Sequence, residues 1–173
     1  MQVAESIEQS GRRIGGHTWV AARLFEALGR WSGTVDDARA RALLATSSRR
    51  FGWLAELWYG LLPGLPHLPA AELLTPDDAM ADLLVTLEAL DDAPDDARVG
   101  ALVERVLPQV LDDLRAHLAV TTPLTDGPTV RVLDLAVAEV TATRDRLSSW
   151  AASRPRSAGR APGSSGGRAR PRG

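Results

Sequence analysis

Cysteine, lysine and asparagine are absent from this sequence. Without cysteine there can be no disulfide, no thiolate metal ligand and no thiol nucleophile. Without lysine, the glycines at Gly15-Gly16 and in the C-terminal segment cannot form a phosphate loop of the lysine-bearing type. Phenylalanine, tyrosine and isoleucine are scarce, while alanine, leucine, arginine, glycine and proline abound. That bias follows the codons of a GC-rich genome, so the preference for arginine over lysine is not in itself a sign of nucleic-acid binding. No apolar run reaches the roughly 18–20 residues that span a bilayer. Residues Met1 to Gly16 lack the continuous apolar stretch of a signal peptide. Both absences lead to the expectation of a cytoplasmic protein. Alternation of apolar and polar residues is missing over any useful length, so no strand is predicted.

What remains is helical periodicity. The chain has 173 residues, 45% of them hydrophobic, enough for one domain with a true core. Leu44, Ser47, Phe51, Leu54, Trp58 and Leu61 recur at alternating steps of three and four. They form the apolar seam of a helix predicted from about Val35 to Leu62. An earlier helix, from about Arg12 to Trp31, carries His17 on the stripe of Ile14, Ala21, Leu24, Phe25, Leu28 and Trp31. Gly33 is expected to end it and Thr34 to cap the next. Thr75-Pro76-Asp77-Asp78 predicts a third start, with Thr75 as cap and Pro76 at the first helical position. A fourth helix covers about Asp96 to Ala119, with a kink expected at Pro108. A fifth begins at Pro128 and reaches about Trp150. The fold class that follows is all-α: an antiparallel bundle of four long helices plus a shorter one over residues 1–153. Residues 154–173 are rich in Arg, Gly, Pro and Ser with no large apolar side chain, which predicts a disordered tail.

Charge is unevenly distributed. The net charge is -2, but six of the 20 arginines lie in the tail, which has no acid. The body therefore carries 14 arginines against 22 acids, a net of -8. An acidic body does not fit a nucleic-acid-binding domain. Contact with nucleic acid or an anionic surface is left to the tail. That segment lacks aromatic side chains to stack on bases, so such contact is expected to be salt-sensitive.

A helical bundle raises the question of a di-iron centre. Those sites draw a Glu from each of two helices and a Glu-x-x-His from each of the other two. No Glu-x-x-His occurs here: Glu56 is followed three residues on by Tyr59, and Glu139 by Ala142. The polar seam residue Ser47 sits where such a protein would place a ligand. His17, Glu56 and Glu139 are the candidate metal ligands, with His17 first, although a histidine on an apolar stripe is more often a hydrogen-bonded core residue than a ligand. His67 lies between prolines and is expected to be solvated. His117, in the last turn of its helix, is expected to act as a cation against the helix dipole. No cofactor and no catalytic residue is assigned. Trp19 and Trp53 fall off their stripes and are the interface candidates.

Two stretches together carry a resemblance. One is Arg13-Ile14-Gly15-Gly16-His17-Thr18-Trp19 through Leu24-Phe25-Glu26-Ala27-Leu28-Gly29-Arg30-Trp31, followed by Ala55-Glu56-Leu57-Trp58 and Leu62-Pro63. The other is Pro123-Leu124-Thr125-Asp126-Gly127-Pro128-Thr129-Val130-Arg131-Val132-Leu133. Over about residues 10 to 150 the chain resembles an uncharacterised family of actinobacterial ferritin-like helical bundles. The resemblance implies a ferritin-like fold but carries no metal chemistry with it, because the ligand pattern of true ferritins is missing. The expected function is therefore non-catalytic: association with a protein partner or with a second copy. The alternative is a metal-binding, di-iron-like enzyme or carrier with a degenerate ligand set.

Overall fold

The first helix begins earlier than its apolar stripe suggests, because Ser6 and Gln9 form a reciprocal cap. The Ser6 hydroxyl accepts the Gln9 amide at 3.2 Å, and the Gln9 side chain accepts the Ser6 amide at 2.9 Å. In this computed structural model, which describes residues 6–154, α1 then runs through Ile7–Thr34. Gly33 does not end it. The chain leaves the helix at Val35 in extended backbone, and no described glycine needs a positive φ.

Helix α2 covers Ala38–Tyr59 and is capped by Asp37, not Thr34. One oxygen of Asp37 accepts both the Ala40 amide at 2.8 Å and the Trp150 indole N–H at 3.0 Å. The start of α2 is thus tied to the helix that carries Trp150, which a hydroxyl at Thr34 would not achieve. The Pro-rich connection that follows contains an isolated bridge between Leu65 and Leu68 and a single turn, α3, at Ala70–Leu73. Helix α4, Asp78–Glu88, is capped by Asp77 through the Met80 amide at 2.9 Å. The predicted cap, Thr75, instead donates to the Glu72 carbonyl at 3.1 Å, so Pro76 precedes the helix. The charged cap, two residues further on, wins.

Helix α5, Asp95–Ala101, passes through a π-helical turn at Leu102–Val106 directly into α6, Leu107–Val120. Pro108 has no amide to offer and its ring crowds the carbonyl of the preceding turn. The wider turn, in which the Leu107 amide reaches the Leu102 carbonyl, is how the helix accommodates it. Helix α7, Pro123–Ala152, bends at Asp126, whose backbone is non-helical at φ -151°, ψ 66°. The Asp126 carboxylate accepts the Thr129 amide at 3.2 Å, so the long straight part starts there.

Helices α1 and α2 pair antiparallel: Phe25 lies beside Gly52, and Gly29 beside Ser48, whose hydroxyl donates to the Phe25 carbonyl at 2.7 Å. Their inner faces meet α6 and α7 in one core, with Leu24, Leu28, Leu44, Leu133 and Leu147 fully enclosed. Each such leucine contributes about 1.5–3 kcal/mol of burial. Phe25 departs from the predicted stripe. It is 45% exposed, because it sits on the outer rim of the α1–α2 seam, over Gly52. Among the described residues no strand forms, no helix is long and apolar enough to cross a membrane, and no buried side-chain polar atom lacks a partner.

The expected tail begins at Arg154, and that residue is held. Its guanidinium lies 4.8 Å from the Trp150 ring centre and 3.2 Å from Asp96. The rest of the expected disordered segment, residues 155–173, falls outside the described residues.

Candidate functional site

Helices α1 and α6 cross so that His17 and His117 meet. His17 projects from α1 among Ile14, Ala21 and Leu24, and only 5% of it is exposed. His117 projects from the last turn of α6 and is 1% exposed. Their nitrogens, Nε2 of His17 and Nδ1 of His117, stand 2.9 Å apart in a hydrogen bond. The rings stack at 5.1 Å between centres, and the Trp58 ring closes the other side of His17 at 4.9 Å. One helical turn before His117, Asp113 brings its Oδ2 to 3.3 Å from His17 Nδ1. An imidazole beside a carboxylate keeps its proton on the facing nitrogen. His17 Nε2 is then the acceptor, and His117 Nδ1–H the donor. The resulting chain reads Asp113, His17, His117.

Electrostatics keep both rings neutral. His17 is pushed down to about 3 by burial first, then by His117 and by Arg13. His117 is pushed down to about 4 by burial and Arg13, against an opposing pull from Asp126. The expectation that His117 serves as a cation on the helix dipole is therefore corrected. Its ring is turned into the bundle, where an imidazolium would be stripped of water beside the Arg13 charge. Asp113 moves the other way: burial raises its pKa, and Asp77 raises it further, while Arg13 partly offsets both.

Asp113 stands at a boundary. On the inner side, with His17, it touches a cavity of about 20 Å³ walled by apolar residues such as Leu24, Phe51 and Leu114. That volume matches one water molecule. On the outer side, Asp113 and Met80 form the floor of a surface cleft of about 430 Å³. Gln9, Arg12, Arg13 and Gly16, at helical spacing on one face of α1, make one wall. Glu72, Thr75 and Asp77, from α3 and the entry to α4, make the other. Gly15 permits this closeness: a Cβ there would stand 1.9 Å from the Leu73 carbonyl oxygen.

The predicted metal ligands are not brought together. The Glu139 carboxylate accepts a hydrogen bond from Arg50. Glu56 is exposed; it lies two residues before Trp58, nearly half a turn around α2 from the side that faces His17. His17 and His117 direct nitrogens at each other, which is not how two imidazoles address a shared ion. No group of three His, Cys, Asp or Glu capable of holding a metal occurs among the described residues. Ser47 is buried at 5% and lies outside the lining of the inner cavity.

Of the interface candidates, Trp53 is 44% exposed. Trp19 is partly buried against the core, with the Arg23 guanidinium 5.6 Å from its ring centre. Sequence reasoning did not single out Asp113 and did not give His117 a partner. The available signal was their spacing: four apart, one above the other on a single helix face.

Comparison of the chain with known protein families, characterised proteins and solved structures returns no match.

Proposed function

We propose that this is a ferritin-like bundle of the cytoplasm that works by association, and that its partner is a second copy of the same chain. In this reading α1, α2, the continuous helix from residue 95 to 120, and α7 beyond Asp126 are the four long members. The observation that carries the proposal is a pair of half-exposed aromatic side chains, Phe25 at 45% and Trp53 at 44%. They belong to the two antiparallel helices of one hairpin, beside the small Gly52. Large aromatic side chains on a polar surface are typical anchors of interfaces.

The charges around them favour a copy over an unrelated partner. Arg23 and Glu26 flank Phe25 on α1 and pair with each other at 2.7 Å. Exposed Arg49 and Glu56 flank Trp53 within a turn on α2. Both signs occur on each helix, so a two-fold arrangement can set arginine against glutamate in both directions. Such a surface is self-complementary, as a two-fold interface must be. A stable dimer needs about 800 Å² from each copy, roughly the outer face of one helical hairpin.

Light scattering coupled to size exclusion tests this. The expected result is a dimer in the micromolar range that becomes a monomer in a Phe25→Ser, Trp53→Ser double variant with unchanged helicity. A monomer throughout the micromolar range would refute the proposal.

A further inference from the structure

We infer that the cleft between α1, α3, α4 and α6 binds a free α-amino acid as its zwitterion. This site is separate from the α1–α2 face proposed for association and does not depend on it.

The cleft has a volume of about 430 Å³, within the range of about 300–1,000 Å³ usual for small-molecule sites. Its two walls carry opposite charge. The α1 wall presents Arg12 and Arg13, with Gln9 and Gly16 above and below on the same face. The facing wall presents Glu72 and Asp77, and the floor presents Asp113. A ligand that fits must offer an anion to one side and a cation to the other. A bare anion meets three carboxylates on one side, and a bare cation meets two guanidinium groups on the other. A zwitterion satisfies both walls at once.

The ammonium end has a defined place. Asp77 caps α4 and Asp113 projects from α6, and the Asp77 charge disfavours charge on Asp113. An ammonium between them offsets that repulsion. One oxygen of Asp77 is committed to the Met80 amide and one of Asp113 lies against His17, so both carboxylates are fixed in position. The side chain of Asp113 is 37% exposed, which leaves it accessible from the cleft. The carboxylate end goes to the arginine wall. There Arg12 uses one guanidinium nitrogen on Glu8, at 3.0 Å, and a planar guanidinium has further N–H donors for a second carboxylate. Met80, which also lines the cleft, gives the ligand's side chain an apolar surface.

His17 and His117 act behind this site as positioning residues. They are neutral, so they hold Asp113 without neutralising it, and a bound ammonium meets a carboxylate.

The test is backbone amide NMR of the full chain titrated with each of the common L-amino acids to about 10 mM, where even millimolar affinity is visible. The expected outcome is saturable shifts for at least one amino acid, confined to residues 9–17, 72–80 and 110–117. Its N-acetyl derivative and its carboxamide, each missing one charge, should bind about tenfold or more weakly. Asp77→Asn retains a capping oxygen and the fold but should weaken binding by a similar factor, as should Arg12→Gln. The Phe25→Ser, Trp53→Ser variant should bind as the native chain does. Absence of saturable shifts for every amino acid, equal binding of the blocked derivatives, or unchanged affinity in Asp77→Asn would overturn the inference.

Discussion

Neutral histidines in a core make stability depend on pH, and the sign follows from the direction of the shifts. His17 and His117 have folded-state pKa values of about 3 and about 4, below the usual 6.5. Between those limits the unfolded chain binds protons that the folded chain refuses. Stability is therefore complete above the unfolded value and falls as the pH drops towards the folded one. At about pH 5.5 an unfolded histidine is some tenfold more often protonated than not, so His17 alone removes about 1.4 kcal/mol relative to about pH 8. His117 adds a loss of the same sign. Asp113 opposes them, because its raised pKa means the folded state takes up a proton more readily. The total is thus expected to exceed about 1 kcal/mol, a sizeable share of the 5–15 kcal/mol typical of a domain. Urea unfolding at the two pH values reads it as a change in midpoint at constant slope. A His17→Phe, His117→Leu double variant should lose most of that change. In NMR spectra, the ring signals of both histidines should stay at their neutral positions down to about pH 5. Equal midpoints at the two pH values, or an undiminished pH effect in the double variant, would refute the account of a desolvated pair.

Two further predictions concern neighbouring positions and a buried charge. Gly15→Ala drives a Cβ into the Leu73 carbonyl, so it should cost about 3 kcal/mol and loosen α3 from α1. Gly16→Ala meets nothing within 4 Å and should instead raise stability by up to about 1 kcal/mol; thermal unfolding of the two variants, side by side, checks the contrast. Arg98, 8% exposed, donates at 2.7 Å to both the Ala93 carbonyl and the Thr34 hydroxyl, joining the turn before α5 to the end of α1. Arg98→Ala should cost about 1.5–3 kcal/mol, the range for hydrogen bonds from a charged group, and hydrogen exchange should quicken at both ends of that link.

The helices were legible because burial writes a period into the sequence. The seam of Leu44, Phe51, Leu54 and Trp58 is buried as its spacing requires, and among the described residues no strand forms, as the absence of alternation predicts. Helix ends were less legible, because several residues compete for each cap and tertiary contacts choose between them. Asp37 displaces Thr34 because it also receives the Trp150 indole from a helix that begins more than 80 residues later. Phe25 sits next to Leu24 in sequence, at the edge of the same apolar stripe, yet is 45% exposed where Leu24 is fully buried. Whether a side chain at the edge of a stripe faces inward depends on how closely the next helix approaches, and Gly52 sets that approach.

The candidate site was half legible for a sharper reason. His17 announces itself as a polar residue on an apolar stripe, but His117 at a helix end has a sufficient local explanation as a cation facing the dipole. Only the crossing of α1 and α6 decides between the readings, because it brings two residues 100 positions apart to 2.9 Å. Once they touch, charging both rings would set two donors against each other in a space closed by Trp58, so the dipole explanation fails for physical reasons. Asp113 then gains its meaning from His17 on one side and from the cleft on the other. The same geometry separates a histidine pair from a metal site. The hydrogen bond to His117 spends the one lone pair His17 could offer an ion, and the nearby carboxylate orders the pair's protons instead of completing a coordination sphere.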